Sequence, residues 1–592
     1  MVAGGPYALR RGCGAGAVAG VSIPSAQGTV NASPVASSDR AVYHPEHTAG
    51  QVARVLVLAI TGVLMLLSFV GMAVLQDLRQ YMVPFLVLYG VAFLGYAAAV
   101  AWSLRRPGRR GTLALMLGLA AAFRAALLFA TPPTLSDDVY RFIWDGRLVN
   151  AGVNPYAHAA DSPLLDPLDT PLRPLINHSD MASPYLPAAQ ALFAAVYRLG
   201  PESPFAFQAA AALLDLLTGC VLLDLLRRFG LPGSRALIAL WNPLAIVEFA
   251  HGAHGVDALM VLLIVLAFWL TVALRCKMLS AFTMAAATLT KGLPLLIVFL
   301  IARRWRLRHT IAYLALLVGA CLPFALGAGW GLVGALDGRG LFGALRIYLA
   351  GWEFNAGIHH WLEASLSGLW TPGAAPQEIA RWQPILAARL TMTFALVLVC
   401  LVAWRASRGA GDALALLRLA AGPVSAYLLL AATVHPWYVT LLLPLLPALP
   451  SGMGGAGRGA RFVWPWLYFS WAVSLSYLSY LGPAPPREVA LVRLLEYIPL
   501  YALLIWAARP ACPSRLATSR GALARLGRFM SILARARGGT PADGQAGAGQ
   551  RAQHQAQAEE HPGLGLAGQE QQGDDDAQHA PAKAPQRGGD AP

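Results

Sequence analysis

Apolar segments of about 20 residues recur along this chain, and this is the length that an α-helix needs to cross the hydrocarbon core of a bilayer. Hydrophobic residues make up 57% of the 592 residues and charged residues only 13%, whereas about 25% of residues are charged in soluble proteins. Backbone polar groups within lipid must be satisfied inside the protein, which helices achieve. The sequence therefore predicts an all-α, polytopic helical membrane protein.

About twelve transmembrane helices are predicted, and the first is taken as an uncleaved helix because no signal peptide precedes it. The predicted spans cover residues 52–74, 81–103, 111–130, 204–226, 235–250, 257–275, 310–329, 384–404, 413–432, 437–450, 462–481 and 489–508. Many of the short loops between them carry arginine or lysine, which is typical of the cytoplasmic side of a membrane. Both termini are expected in the cytoplasm.

One segment does not fit a simple alternation of sides. A single span between Lys277 and Arg303 would place one of these two basic loops outside. The stretch Thr290-Lys291-Gly292-Leu293-Pro294 contains the glycine and proline that break a helix. We therefore predict a hairpin of two half-helices that turns at Lys291, because broken backbone at membrane depth must be buried or line a cavity.

The chain outside the spans has its own character. Residues 51–508 are expected to form the membrane unit, after a disordered N-terminus at 1–50. Residues 509–537 carry seven arginines and no acid, which suits a basic amphipathic helix on membrane lipids. The Gln- and Gly-rich residues 538–592 are expected to be disordered. The net charge of +15 is thus assigned to the cytoplasmic face, and a nucleic-acid partner is not expected.

Two loops on the opposite, external face are longer than helix connection requires, at 131–203 and 330–383. The first contains eight acidic residues against four arginines. Its segment 187–199 is apolar but too short to span a bilayer. We therefore expect helices that lie along the membrane interface within these external loops.

The densest polar cluster opens the first external loop with Asp137 and Asp138. Adjacent carboxylates repel each other, which favours proton uptake and suits a base that acts on a hydroxyl. Alternatively, the pair could hold a divalent cation such as Mg²⁺ or Mn²⁺, or Asp137 could cap a helix that starts at Val139. Five further residues of this cluster are candidate ligands for a substrate or its phosphate: Arg141, Asp145, Arg147, Asn154 and Tyr156.

Ionisable residues inside apolar segments are costly and are a functional hypothesis by default. Lys291 is expected to neutralise a lipid phosphate, and a lysine that snorkels to the interface is the plain alternative. Asp215 lies in a predicted span and is a candidate for a buried partner.

Three ionisable residues, His251, His254 and Asp257, are spaced to share one helical face. They could ligate a metal, although glycines interrupt the helix and no fourth ligand is evident. His254 could instead bind a phosphate or a sugar hydroxyl, or merely lie at the interface. His435 is a candidate phosphate ligand and Asn355 a candidate substrate ligand, and no metal ligand is assigned.

The motifs SDDVYRFIWDGRLVNAGVNPYAH, WNPLAIVEF, TKGLP and HPWY resemble those of bacterial GT-C superfamily glycosyltransferases, in particular mannosyltransferases that use polyprenyl-phosphate sugars. The resemblance runs from about residue 113 to 506. It implies a helical membrane fold, a lipid-phosphate sugar donor, and a base in the first external loop, which would be Asp137 or Asp138. It also makes Tyr185 a candidate ligand, although this chain has Tyr185-Leu186-Pro187 where Tyr-Pro-Pro is expected.

The residues and the resemblance together predict inverting transfer of a hexose, expected to be mannose, from a polyprenyl-phosphate sugar. The acceptor would be a hydroxyl of a glycan or glycolipid at the external face of a bacterial inner membrane. Asp137 or Asp138 would take the proton, and Lys291 with His435 and Arg141 would bind the donor phosphate.

The rival prediction is a polytopic transporter or lipid flippase. It would use Asp215, Glu248 and Lys291 as intramembrane relay groups, and it would require two similar halves. No internal repeat is evident in the sequence.

Overall fold

The computed structural model describes residues 45–105, 110–128, 132–332, 338–369, 377–450, 457–481 and 488–509. These residues form helices, turns and one isolated bridge between Phe354 and Thr433, and they contain no strand. The basic helix predicted at 509–537 and the disordered tail predicted at 538–592 lie outside the described residues, apart from Arg509. Residues 1–44 of the predicted disordered N-terminus also lie outside the described residues. Residues 45–50, which were predicted to be disordered as well, form the start of α1.

The α-helices are numbered in chain order. The first ten are α1 (Pro45–Leu75), α2 (Met82–Arg105), α3 (Arg110–Leu128), α4 (Asp138–Asn150), α5 (Pro187–Leu199), α6 (Pro204–Arg228), α7 (Leu237–Leu240), α8 (Pro243–Ile246), α9 (Gly255–Val272) and α10 (Lys277–Thr290). The others are α11 (Val298–Ala302), α12 (Leu307–Ala328), α13 (Gly343–Gly351), α14 (Ile358–Leu369), α15 (Gln377–Ala406), α16 (Ala413–Leu430), α17 (Arg458–Arg461), α18 (Val463–Ala472) and α19 (Ala490–Ala508).

Nine helices of the described chain are long and apolar enough to cross a membrane, and each coincides with one of the twelve predicted spans. They are α1, α2, α3, α6, α9, α12, α15, α16 and α19. The helices with the highest mean hydropathy are α1, α9 and α15. Only 6% of the span in α15 is buried within the protein. A helix that is apolar all round and unburied in its own chain suits a lipid contact.

Three predicted spans are not single α-helices, and this corrects the count of twelve. Residues 235–250 are divided among a 3₁₀ turn, α7, α8 and a π-helical turn at Val247–His251. The break between α7 and α8 falls at Asn242, whose side chain accepts a bond from the amide of Leu244 at 2.9 Å and so caps α8. Pro243 follows at the first position of α8, where its missing amide costs nothing.

Prolines interrupt the predicted span at residues 437–450. It forms two short 3₁₀ helices, Pro436–Leu441 and Leu446–Ala448, each with a proline in its first turn. Residues 462–481 begin as α18 and continue as the 3₁₀ helix Val473–Leu481. These irregular segments are buried inside the bundle, where neighbouring helices can satisfy broken backbone.

The helix break predicted at residues 290–294 is present, while the hairpin topology remains a prediction. Helix α10 ends at Thr290, and the chain then turns through the 3₁₀ helix Leu293–Leu296 into α11. Arg304, just after α11, donates to the carbonyl of Gly411 at 2.8 Å, close to the end of α15. Ser280, near the start of α10, bonds to Thr271 at the end of α9. These bonds attach the two sides of the break to different neighbours, α10 to α9 and the end of α11 to the segment after α15.

A buried ion pair joins α3 to α6. Arg124 and Asp215 are bonded through Nε at 2.9 Å and through a second guanidinium nitrogen, and both side chains are almost fully buried. Arg124 also donates to the carbonyl of Leu240 at 3.0 Å. Asp215 is thus buried and paired with Arg124, whereas the carboxylate partner of Lys291 is Asp257. Asp215 is therefore not free for a relay.

The loop at 132–203 is built on α4 and α5, which pack closely against each other. A Cβ atom on Gly146 of α4 would lie 2.6 Å from the backbone oxygen of Phe193 on α5. Glycine is therefore required at this crossing. The close packing of α5 fixes α4, and the first turn of α4 carries Asp138.

Candidate active site

A cavity of about 370 Å³ lies where the first turn of α4, the beginning of α9 and the end of α10 meet. Its other walls come from the segment 177–186, from α13, and from residues 435–438 and 477–480. This volume is within the range of small-molecule sites in proteins. Predicted site residues that line the cavity are Asp137, Asp138, Arg141, Tyr185, His254, Asp257, Lys291 and His435.

Asp137 and Asp138 do not act as a pair. Asp137 accepts a bond from Arg79 at 3.0 Å, and the two side chains are partly exposed. Asp137 occupies the N-cap position of α4, but its side chain makes no capping bond. The helix-capping alternative is therefore wrong for Asp137. The predicted helix start at Val139 differs by one residue from the observed start at Asp138.

Asp138 points toward the interior of the cavity. Its Oδ1 accepts a bond from Nδ2 of Asn177 at 2.9 Å. Its Oδ2 lies 4.0 Å from Nε2 of His254. One carboxylate oxygen is therefore held by an amide, and the other faces an imidazole and the open space of the cavity.

His254 is held from behind by Glu248. Nδ1 of His254 lies 3.2 Å from Oε2 of Glu248 and 3.1 Å from the Glu248 carbonyl oxygen. The other carboxylate oxygen of Glu248 accepts the Tyr477 hydroxyl at 2.8 Å. Gly252 makes room for this arrangement, because a Cβ there would lie 2.8 Å from Nδ1 of His254.

Lys291, which directly follows the end of α10, contacts an acid and an aromatic ring. Its Nζ lies 2.8 Å from Oδ1 of Asp257 and 3.8 Å from the ring centroid of Tyr438. The Tyr438 hydroxyl in turn bonds to that of Tyr348 on α13 at 2.6 Å, and burial raises the pKa of Tyr348 to about 12. An ammonium has three donors, so Lys291 can bind a further anion besides Asp257.

Four rings form a continuous stack along one wall. The ring of Trp437 lies between His254 at 3.9 Å and His435 at 4.5 Å, and Phe354 covers the other face of His435 at 4.7 Å. Trp437 is therefore not free to stack on a sugar, because both of its faces are covered. It instead fixes the ring planes of the two histidines.

Arg141 contributes charge and shape. Its guanidinium donates to the carbonyls of His178 at 2.7 Å and Met181 at 3.2 Å, which holds the segment 177–186 against the cavity. His178 packs on Trp352, with ring centroids 4.3 Å apart. Burial lowers the pKa of His178, so this imidazole stays neutral near pH 7.

Five predicted substrate ligands line no part of this cavity and are bonded within the protein. Arg147 pairs with Glu202 at 2.9 Å, Asn154 donates to the carbonyl of Phe324 at 2.9 Å, and Tyr156 donates to the carbonyl of Tyr185 at 2.6 Å. Two more are buried. Asp145 accepts bonds from Ser183 and Gln190, and the backbone N–H of Asn355 donates to Glu488 at 2.6 Å. These five are not part of the site proposed below.

A divalent cation does not fit the Asp137–Asp138 pair as it is arranged. The guanidinium of Arg79 already occupies Asp137, and Asn177 occupies one oxygen of Asp138. The side chains of His251, His254 and Asp257 also do not share a metal site. Nε2 of His251 lies 3.2 Å from the backbone amide and the hydroxyl of Thr134. In the described part of the chain no cluster of three or more metal-ligating side chains occurs.

Four residues of the site were not among the predicted site residues. Asn177 and Tyr438 line the cavity, and Arg79 and Glu248 contact residues that line it. Arg79 lies in the short loop between α1 and α2, which the predicted topology placed on the face opposite to the basic loops. An arginine on this face is an exception to the distribution of the basic loops, and it could have marked Arg79 as a candidate site residue. Asn177 and Tyr438 carried no such signal, because their partners Asp138 and Tyr348 lie 39 and 90 residues away in the chain. Glu248 was considered only as a relay group of the transporter alternative.

A bundle of membrane-length helices that encloses a cavity of acids, a lysine and histidines defines a membrane protein with a polar small-molecule site. Residues 13–306 match the model of the MptA_B family, described as alpha-(1->6)-mannopyranosyltransferase, N-terminal domain. The chain is thus a GT-C type mannosyltransferase, which makes it a membrane glycosyltransferase. No curated protein and no solved structure gives a significant match.

The matched region contains Asp138, His254, Asp257 and Lys291, whereas His435 and its neighbours lie beyond it. A mannosyltransferase implies a sugar donor and a glycan acceptor in a membrane. The cavity is therefore assembled from the matched region together with residues 344–354, 435–438 and 477–480.

Proposed function

We propose that this protein transfers mannose from a polyprenyl-phosphate sugar to a hydroxyl of a glycan or glycolipid, with inversion at the anomeric carbon. The observation that carries the proposal is that Asp138 and Lys291 face one cavity, a base and a cation in reach of one small substrate. The acidic loop at 132–203 would lie at the external face of a bacterial inner membrane, with both termini in the cytoplasm.

Asp138 is the base in this proposal. Its Oδ2 is the carboxylate oxygen that faces the cavity, whereas the carboxylate of Asp137 is bonded to Arg79. The acceptor hydroxyl loses its proton to Asp138 while its oxygen forms a bond to the anomeric carbon. The bond from that carbon to the phosphate oxygen breaks, and its electron pair leaves with the polyprenyl phosphate.

Lys291 stabilises the leaving phosphate. Its Nζ donates to Asp257 and lies over the ring of Tyr438. An ammonium has three donors, which leaves at least one for a phosphate oxygen. Arg141 adds a buried positive charge that is bonded to carbonyls and not to a carboxylate. Preorganised cations of this kind act on charge that develops in the transition state. Asp257 is held by Lys291, which leaves it unsuited to act as a covalent nucleophile.

The test is transfer of radiolabelled sugar in proteoliposomes, with a panel of polyprenyl-phosphate and nucleotide sugars. We expect product from polyprenyl-phosphate mannose alone, with a β-linked donor giving an α-linked product. Product from a nucleotide sugar in the absence of lipid would overturn the donor assignment. Retention of anomeric configuration would overturn the direct displacement.

A further inference from the structure

Glu248 is a fully buried carboxylate that the proposed transfer does not use. It belongs to the π-helical turn at Val247–His251. Its Oε1 accepts the Tyr477 hydroxyl at 2.8 Å, and its Oε2 lies 3.2 Å from Nδ1 of His254. A buried charge is costly unless it is paired, so this placement calls for an explanation.

The surroundings of His254 determine which ring nitrogen carries its hydrogen. Both groups that face Nδ1 are oxygen acceptors, the carboxylate and the backbone carbonyl of Glu248. Nδ1 must therefore be the protonated nitrogen. Nε2 is buried, makes no hydrogen bond within the described residues, and lies 4.0 Å from Oδ2 of Asp138. In the neutral imidazole, Nε2 is a proton acceptor aimed at the proposed base.

We propose that Glu248 is a positioning residue that fixes His254 as the Nδ1–H tautomer, so that Nε2 receives the proton that Asp138 removes from the acceptor. This inference rests on the transfer proposed above. The proton passes from the Asp138 carboxyl to Nε2, which restores the carboxylate and leaves an imidazolium. The charge of the imidazolium is balanced by Glu248, as an acid balances a histidine in catalytic triads.

The neighbouring groups are compatible with this role. Trp437 covers one face of the His254 ring, which prevents the imidazole from rotating away from Asp138. The titratable or charged groups that face this imidazole are Asp138 on α4, Glu248 and His251 on the π-helical turn, Asp257 on α9 and His435 across Trp437. Asp257 is neutralised by Lys291, so Glu248 is the closest anionic partner of the ring.

The first test observes His254 directly and needs no substrate. Two-bond ¹H–¹⁵N spectra of the full chain labelled in histidine report the tautomer, with the His254 signal assigned by its loss in His254→Gln. We expect the Nδ1–H tautomer in the native protein. In Glu248→Gln the backbone carbonyl still faces Nδ1, so we expect this tautomer to be only partly depleted, while the titration midpoint falls by about one pH unit because the negative charge is lost. An unchanged tautomer and midpoint in Glu248→Gln would overturn the proposal.

Two further variants keep this test interpretable. Glu202→Gln makes the same change in a carboxylate that also bonds to a tyrosine, at 3.0 Å, but lies outside the cavity, and it should leave the His254 signal unchanged. Tyr477→Phe removes the bond to Oε1 but keeps the charge of Glu248, and it should retain the Nδ1–H tautomer. If Glu248→Gln does not fold, loss of that tautomer in Tyr477→Phe would count against the carboxylate as its cause.

The second test measures mannosyl transfer in proteoliposomes. In Glu248→Gln we expect kcat to fall by about tenfold or more, with KM for the donor little changed, and the acid limb of the kcat profile to move to lower pH. An unaltered pH profile would overturn the role in proton removal even if the tautomer changes. If the native protein transfers no mannose from any donor, the proposed function fails, and the spectra still decide whether Glu248 fixes His254.

Discussion

Asp137 and Asp138 are adjacent in the chain, yet their carboxylates bond to different partners, the first to Arg79 and the second to Asn177. Their side chains diverge because Asp137 is the residue before α4 and Asp138 is the first residue of that helix. Only Asp138 has an oxygen that faces an imidazole across the cavity. The two residues can therefore be distinguished by experiment.

Replacing Asp138 should affect chemistry far more than replacing Asp137. We expect Asp138→Asn to lower kcat by about 10² to 10⁴, the usual contribution of a general base. Asp137→Asn breaks a partly exposed ion pair, which is worth about 1 kcal/mol or less, and activity should fall by less than about tenfold. Initial rates of mannosyl transfer decide between them, and equal losses in both variants would contradict the assignment of the base.

Lys291 and Asp257 should behave as one unit. We expect Lys291→Gln to reduce transfer by about tenfold to a hundredfold and to weaken donor binding, because the phosphate loses its cation. Asp257→Asn should also reduce transfer, and the double variant should lose less than the product of the two single effects, since contacting residues couple. Lys277→Gln, at the other end of α10 and outside the cavity, serves as the control and should be unaffected.

Asp145 should make the stability of the protein depend on pH. Burial raises the pKa of this carboxyl above its ordinary value of 3.8, and Arg141 only partly offsets the effect. The folded chain therefore holds this proton more tightly than the unfolded chain, and its contribution to stability is present at low pH and is lost as pH rises through the raised pKa. Thermal unfolding in detergent should show a weaker loss above pH 4 in Asp145→Asn than in the native protein.

Asp145→Ala is the companion change. It removes the acceptor of bonds from Ser183 and Gln190, and leaving such buried groups unpaired costs about 1 to 3 kcal/mol. The variant should be less stable than Asp145→Asn at every pH. A stability equal to that of Asp145→Asn would show that the buried bonds contribute little.

The Arg124–Asp215 pair should be structural. Asp215→Asn leaves a buried arginine without its counter-charge, which costs about 3 to 5 kcal/mol, whereas apolar replacement of both partners is often neutral. We expect Arg124→Met with Asp215→Leu to recover most of the thermal stability lost in Asp215→Asn, and to retain transfer activity. Loss of activity in a stable double variant would instead indicate a relay at Asp215, as the transporter alternative requires.

Much of the fold follows from local sequence. Nine of the twelve predicted spans coincide with membrane-length helices of the described chain, because hydropathy over about 20 residues depends on local composition alone. The break after α10 was predicted because Gly292 and Pro294 fall together in one short segment. Single prolines, in contrast, are accommodated inside α12, α15, α16 and α19. The three irregular spans were not anticipated, since residues 235–250, 437–450 and 462–481 are apolar enough to span, and their breaks depend on caps and prolines that hydropathy does not register.

The sequence by itself determined that this chain is a helical membrane protein with acids in one loop and a lysine at a broken helix. Only the tertiary structure decided which of these groups meet. Arg79 reaches Asp137 across 58 residues, and Tyr477 reaches Glu248 across 229. The physical reason is that hydropathy and helix breaking act over neighbouring residues, whereas hydrogen-bond partners are chosen by how distant segments pack.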